Sequence, residues 1–96
     1  MQNSMVKEVS KPEESIDVLE HVGEQYQVVL YNDDVNTFDH VIDCLMDICE
    51  HDQIQAEQCA LLVHYKGKAS VKNGELEKMQ AICQALCDCD LSAVVE

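Results

Sequence analysis

The chain has 96 residues, enough for one domain with a small core and too few for two. Six Lys and Arg against nineteen Asp and Glu leave a formal charge of -13, which repels a phosphate backbone and disfavours an anionic membrane. An acidic surface suits partners or ligands that carry positive charge, and it speeds their approach at low ionic strength.

Residues 1–23 are rich in Glu, Ser and Lys, hold the only proline (Pro12), and show one short apolar patch, Ile16-Asp17-Val18-Leu19. That composition predicts a disordered tail ahead of a domain over 24–96. Met1 to Glu8 has no cationic start followed by an apolar block, as a secretory signal would, and no stretch approaches a membrane span. A cytoplasmic protein is expected, with its six cysteines as reduced thiols rather than a disulfide framework.

A strand is predicted over 25–31, where Val28, Val29, Leu30 and two tyrosines supply β-propensity. The strand breaks into Asn32-Asp33-Asp34, and Thr37 or Asn36 then caps a helix with Asp39 in its first turn. Phe38, Val41, Ile42, Leu45, Ile48 and Cys49 recur at helical spacing as one buried face. A second helix from Ile54 to Tyr65 puts Ala56, Cys59, Ala60 and Val63 on one stripe and ends at Gly67, which fits the left-handed position. Lys68 to Lys72 reads as a brief strand before an Asn73-Gly74 turn. Leu76, Met79, Ile82, Cys83 and Leu86 mark a third helix, and Leu91 to Val95 a last strand. The order β-α-α-β-α-β predicts an α+β fold, a small three-stranded antiparallel sheet packed against three helices.

Asn32, Asp33, Asp34 and His64 form a set of acceptors. A free peptide α-amino group is a cation with three donors, so it calls for converging acceptors and negative charge. An internal amide has one donor and no charge, and would leave such groups unpaired. The plainer alternative is that Asn and Asp turn the chain and that a histidine near a helix end meets its last carbonyls.

A strand running Tyr26-Gln27-Val28-Val29-Leu30-Tyr31 into Asn32-Asp33-Asp34, paired with a helix ending Val63-His64-Tyr65-Lys66-Gly67, resembles the ClpS family of Clp protease adaptors. The resemblance is close from Gln25 to Gly67. It implies a non-enzymatic adaptor that recognises proteins by a large hydrophobic N-terminal residue, an N-degron, and delivers them to the N-terminal domain of a Clp-family AAA+ unfoldase. Asn32, Asp33 and His64 match the positions that bind the substrate's amine. Asp34, Asn36, Phe38, Val41, Ile42, Ala60 and Val63 match the neighbourhood of an apolar pocket for the first side chain, although their spacing equally suits a plain core. Phe38 and Ala60 stand where the family commonly has methionine, and Thr37 where it commonly has proline. The order of preference among first residues is therefore left open. The tail would help delivery as a flexible segment.

Other chemistries fare worse. Asn32, Asp34 and Asn36 alternate as in a calcium loop, but Thr37 stands where its glycine belongs and Asp43 where its last glutamate belongs. Cys83, Cys87 and Cys89 are close in sequence and define the rival reading, a cysteine-based metal-binding or redox protein; they lack a Cys-x-x-Cys and lie among apolar neighbours, where cysteine acts as a small hydrophobe. No metal or cofactor is expected. Cys59 and His64 project in different directions on their helix, and no phosphate loop or hydrolase motif occurs.

Overall fold

The computed structural model describes residues 24–96; the tail expected over 1–23 lies outside the described residues. The elements are β1 (Tyr26–Tyr31), α1 (Phe38–Ile48), α2 (Gln53–Lys66), β2 (Lys68–Gly74), α3 (Leu76–Asp88) and β3 (Ser92–Val95). The strands form one antiparallel sheet in the order β2-β1-β3, so the α+β architecture and its element order are as the sequence predicts. Among the described residues, no helix is long and apolar enough to cross a membrane.

β1 lies at the centre because it is the most apolar strand. Val28 and Leu30 point into the core that the helices complete, and Val29 is buried on the opposite face. Leu45 and Cys49 of the α1 segment, Ala56 and Val63 of α2, and Met79 and Leu86 of α3 close that core. Two of the three helix starts are capped by a side chain. Thr37 Oγ1 accepts from the His40 N–H at the head of α1, and Asp52 does the same for Gln55 at the head of α2. Glu75 precedes α3 with no side-chain cap bond.

Two expectations are corrected. Asn73-Gly74 is not a turn: β2 continues to Gly74, with Gln27 opposite Asn73 and Tyr26 opposite Gly74. Gly74 has no left-handed backbone; a Cβ there would meet Met79 Cε at 3.1 Å, so its small size serves close packing instead. The pairing also skips from Lys72 to Ser70 between Val28 and Val29, leaving Val71 as the extra residue of a bulge. Its carbonyl is not wasted. His51, buried at the α1–α2 turn, donates from Nε2 to Val71 O at 2.8 Å, and Lys72 Nζ reaches back to Cys49 O at 2.9 Å. Sequence reading assigned no role to His51, since a lone histidine between helices carries no pattern.

The second correction concerns α1, whose apolar stripe does not serve a single purpose. Ile42, Cys44, Leu45 and Cys49 are buried, whereas Phe38 is 40% exposed and Val41 half-buried.

The α1 segment is followed by Glu50 at φ 61, a left-handed conformation that costs a residue with a Cβ about 1–2 kcal/mol. Glu50→Gly should relieve that strain, partly offset by the greater freedom of glycine in the unfolded chain. A net gain of about 0.5–1 kcal/mol is expected in urea unfolding followed by circular dichroism. A loss of stability would show that the Glu50 side chain contributes more than its backbone costs.

Candidate functional site

The two sequence motifs meet at one corner of the sheet. Gly67, at φ 92, ends α2 with its N–H on Val63 O, and the chain reverses into β2 with Lys68 opposite Tyr31. The next N–H along β1, that of Asn32, donates to Gly67 O at 2.9 Å. This bond brings the tip of β1 against the last turn of α2, so that Asn32 and His64 share one rim.

Below the rim lies a cavity of about 570 Å³. Asn32, Asp33, Asp34, Asn36, Phe38, Val41, Ala60, Val63 and His64 all line it. Ile42 does not: it is directed into the core and is corrected from a pocket residue to a core residue. Leu30, Tyr31, Leu61, Tyr65 and Leu91 also contribute to the lining. Of these, Leu30 and Tyr31 directly precede the Asn-Asp-Asp motif and were legible only as strand. Leu91 is far along the chain and comes near because β3 pairs with β1.

The acceptors at the rim divide into two kinds. Asp33 holds the turn: its Oδ1 accepts from the N–H groups of Val35 and Asn36, and its Oδ2 from Asn36 Nδ2, all at 2.8 Å. Chain turning by Asp33, weighed above as the plainer alternative, is thus part of its role, and one lone pair on Oδ2 remains. Asn36 Nδ2 spends its other proton on Asp90 O at 2.8 Å, which fastens the loop to the corner between α3 and β3. Among the described residues, the side chains of Asn32 and Asp34 and the imidazole of His64 make no hydrogen bond; the His64 ring only meets Tyr65 edge-on, centroids 4.7 Å apart. Those groups are exposed, whereas Leu30, Ala60, Val63 and Leu91 are buried. The site therefore has an apolar floor under a polar, acidic edge.

The bonds from Asn36, its backbone first, hold the Asp33 carboxyl below the usual carboxylate range; Val35 and the nearby His40 act in the same direction. Tyr31, on the lining, donates its hydroxyl to Glu96, and that bond raises the phenol's pKa.

The cysteines do not assemble a rival site. Cys87 is exposed with its thiol on Ala93 O, Cys83 and Cys89 are partly buried, and among the described residues no group of three or more His, Cys, Asp or Glu side chains comes together to hold a metal ion.

The described residues thus form a small α+β domain with an open cavity at the strand tip, apolar below and rich in acceptors above. Residues 21–91 match the family model of the ATP-dependent Clp protease adaptor protein ClpS, and the chain belongs to that family. It is 34% identical to the ClpS adapter of Shewanella halifaxensis over 65 residues, 68% of this chain and 64% of that protein. It is 46% identical to the ClpS adapter of an Enterobacter species over 44 residues, 46% of this chain and 42% of the relative. Among solved structures, that of Agrobacterium tumefaciens ClpS2 bound to L-phenylalaninamide superposes with a TM-score of 0.73, at 20% identity, covering 76% of this chain and 95% of the other. That likeness shows the shared fold.

Because the carboxylate of Asp33 is favoured by folding, its contribution to stability is present above the unfolded carboxyl pKa of about 3.9 and is lost as pH falls through its lower folded value. Asp33→Asn puts an amide opposite Asn36 Nδ2 and should cost roughly 1–2 kcal/mol at neutral pH. The variant should also lose less stability than the wild type on acidification from about pH 5 to 2. Parallel curves in denaturant titrations over that range would remove Asp33 as the group responsible.

Proposed function

We propose that the chain is a non-enzymatic adaptor that binds proteins by a large hydrophobic N-terminal residue and hands them to the N-terminal domain of a Clp-family AAA+ unfoldase. The observation that carries this reading is the cavity with Asn32, Asp34 and His64 on its rim, without side-chain partners among the described residues, and an apolar floor beneath. About 570 Å³ is within the range of small-ligand pockets and accommodates a side chain such as that of Leu, Phe, Tyr or Trp. Family membership and the likeness to a relative whose structure holds L-phenylalaninamide support the same assignment.

In this reading the substrate's α-ammonium donates to Asn32 Oδ1 and to an imidazole nitrogen of His64, with Asp33 and Asp34 supplying negative charge. Its first side chain enters between Phe38, Val41, Ala60, Val63 and Leu91. Selection of a chain end follows from the polar rim: an internal amide brings one donor and no charge, leaving acceptors unpaired. The high negative charge of the chain draws the cationic end in. Residues 1–23 would take part in delivery.

Peptides differing only in their first residue, with acetylated copies as controls, test the reading by fluorescence anisotropy. Large apolar first residues should bind and every acetylated peptide should fail. Asn32→Ala or His64→Ala should each cost about 1.5–3 kcal/mol of binding without unfolding the domain. Above about pH 8 the peptide amine loses its charge and binding should weaken. Equal binding of free and acetylated peptides would overturn the assignment.

Ala60 is buried on the cavity floor, so Ala60→Met should fill space the bulkiest first residues need. Peptides beginning with Trp or Phe should lose roughly 1–3 kcal/mol relative to Leu. An unchanged ranking would place the first side chain elsewhere.

A further inference from the structure

The end of α3 is built around one strained residue. Asp90 has φ 71, a left-handed backbone that disfavours any residue with a Cβ. Around it the Asp90 N–H donates to Cys87 O at 2.9 Å and the Leu91 N–H to Leu86 O at 3.1 Å, the paired bonds that close a helix through a left-handed residue. The carbonyls of Cys89 and Asp90 find their partners outside α3. His40 Nε2 donates to Cys89 O at 2.9 Å, and Asn36 Nδ2 to Asp90 O at 2.8 Å. A carbonyl oxygen only accepts, so the His40 hydrogen of that bond sits on Nε2.

Both donors stand beside residues of the cavity, and so do the carbonyls they hold. Asn36 and His40 flank Phe38, two residues to either side, and Val41 follows His40. Phe38 and Val41 line the cavity, as does Leu91, the residue after Asp90. The donors are themselves fixed: Thr37 Oγ1 accepts from the His40 N–H at 3.1 Å, and the Asp33 carboxylate holds Asn36 by its backbone and its side chain. Leu91 is buried, and its chain is fixed on the other side because Ser92 pairs with Tyr31. Two hydrogen bonds therefore bridge the first turn of α1 to the corner that carries Leu91.

We propose that His40, with Asn36 beside it, is a positioning residue that sets which first side chains the cavity accepts, by holding the Leu91 corner at a fixed spacing from Phe38 and Val41. This rests on the reading of the cavity as the pocket for a substrate's first side chain. His40 does not line the cavity; it acts through Leu91. An apolar pocket ranks side chains by shape, at about 10- to 200-fold per methylene, and a wall that can shift fits several shapes and ranks them less sharply. The His40 bond is half-buried whereas the Asn36 bond is exposed. The better-shielded bond is the stronger constraint.

The test measures binding of peptides beginning with Leu, Phe or Trp to the full-length chain by fluorescence anisotropy, with acetylated copies. His40→Ala should keep its demand for a free amine and should narrow the spread between the best-bound and worst-bound peptide by about threefold or more. His40→Gln should restore the wild-type ranking, because its Nε2 stands as many bonds from Cα as that of histidine and donates in its place. His40→Asn, one bond shorter, should not. In a Leu91→Ala background, His40→Ala should change the ranking no further. If circular dichroism shows His40→Ala unfolded, the comparison of His40→Gln with His40→Asn decides. A ranking unmoved by His40→Ala, an equal loss for all three peptides, or the same ranking in His40→Gln and His40→Asn overturns the positioning role and leaves the proposed function standing. Wild-type binding that ignores acetylation overturns the proposed function and the positioning role with it.

Discussion

The site depends on the reversal at Gly67. A helix that ends facing the sheet must turn back within one residue if the next is to pair with Tyr31, and only a left-handed residue does this while closing the helix. A Cβ at Gly67 would meet nothing within 4 Å, so the demand is conformational rather than steric, about 1–2 kcal/mol for any other residue. Once made, the turn offers Gly67 O to the Asn32 N–H. That single backbone bond sets the distance between the strand tip and the last turn of α2. His64 and Asn32 share a rim because this bond holds the strand tip against the helix end.

In the proposed reading, one stretch of acceptors serves structure and ligand together. Asn32-Asp33-Asp34 is not three equivalent groups. Asp33 is largely consumed by Val35 and Asn36, and through Asn36 by the Asp90 carbonyl, so these bonds brace the loop. For the proposed ammonium ligand such bracing would matter, because ordering the acceptors on binding would consume part of the binding energy. Among the described residues, the side chains of Asn32 and Asp34 make no hydrogen bond on either side of this fixed residue. The neighbouring His40, bonded to Cys89 O, anchors the first turn of α1 to the same α3–β3 corner.

Periodicity and caps made nearly all of the fold legible. The strands, the helices, the Thr37 cap and the Gly67 turn follow from local patterns, which is why they could be read without tertiary information. What escaped was set by contacts distant in sequence. Gly74 is small because Met79 packs on it, not because the chain turns. The Val71 bulge is completed by His51 from another segment. In the site, the residues flanking each motif were readable, but Leu91 enters only through the sheet order. Ile42 and Val41 show the limit most sharply: adjacent residues with the same apolar character, one in the core and one on the cavity.

The division between them is geometric. Phe38 and Val41, in the first turn of α1, line the cavity, while Ile42 and Leu45 lie in the core. α2 contributes Ala60, too short to fill the gap. A larger residue there would bury more apolar surface, and natural cores are packed close to crystal density. An open apolar space in so small a domain forgoes stability that filling would supply, while the Gly67 bond, the Asp33 turn and the Asn36 tie to Asp90 hold the segments around it. The hydrophobic surface left bare is what an entering apolar side chain would cover, so the energy withheld from folding becomes available to binding.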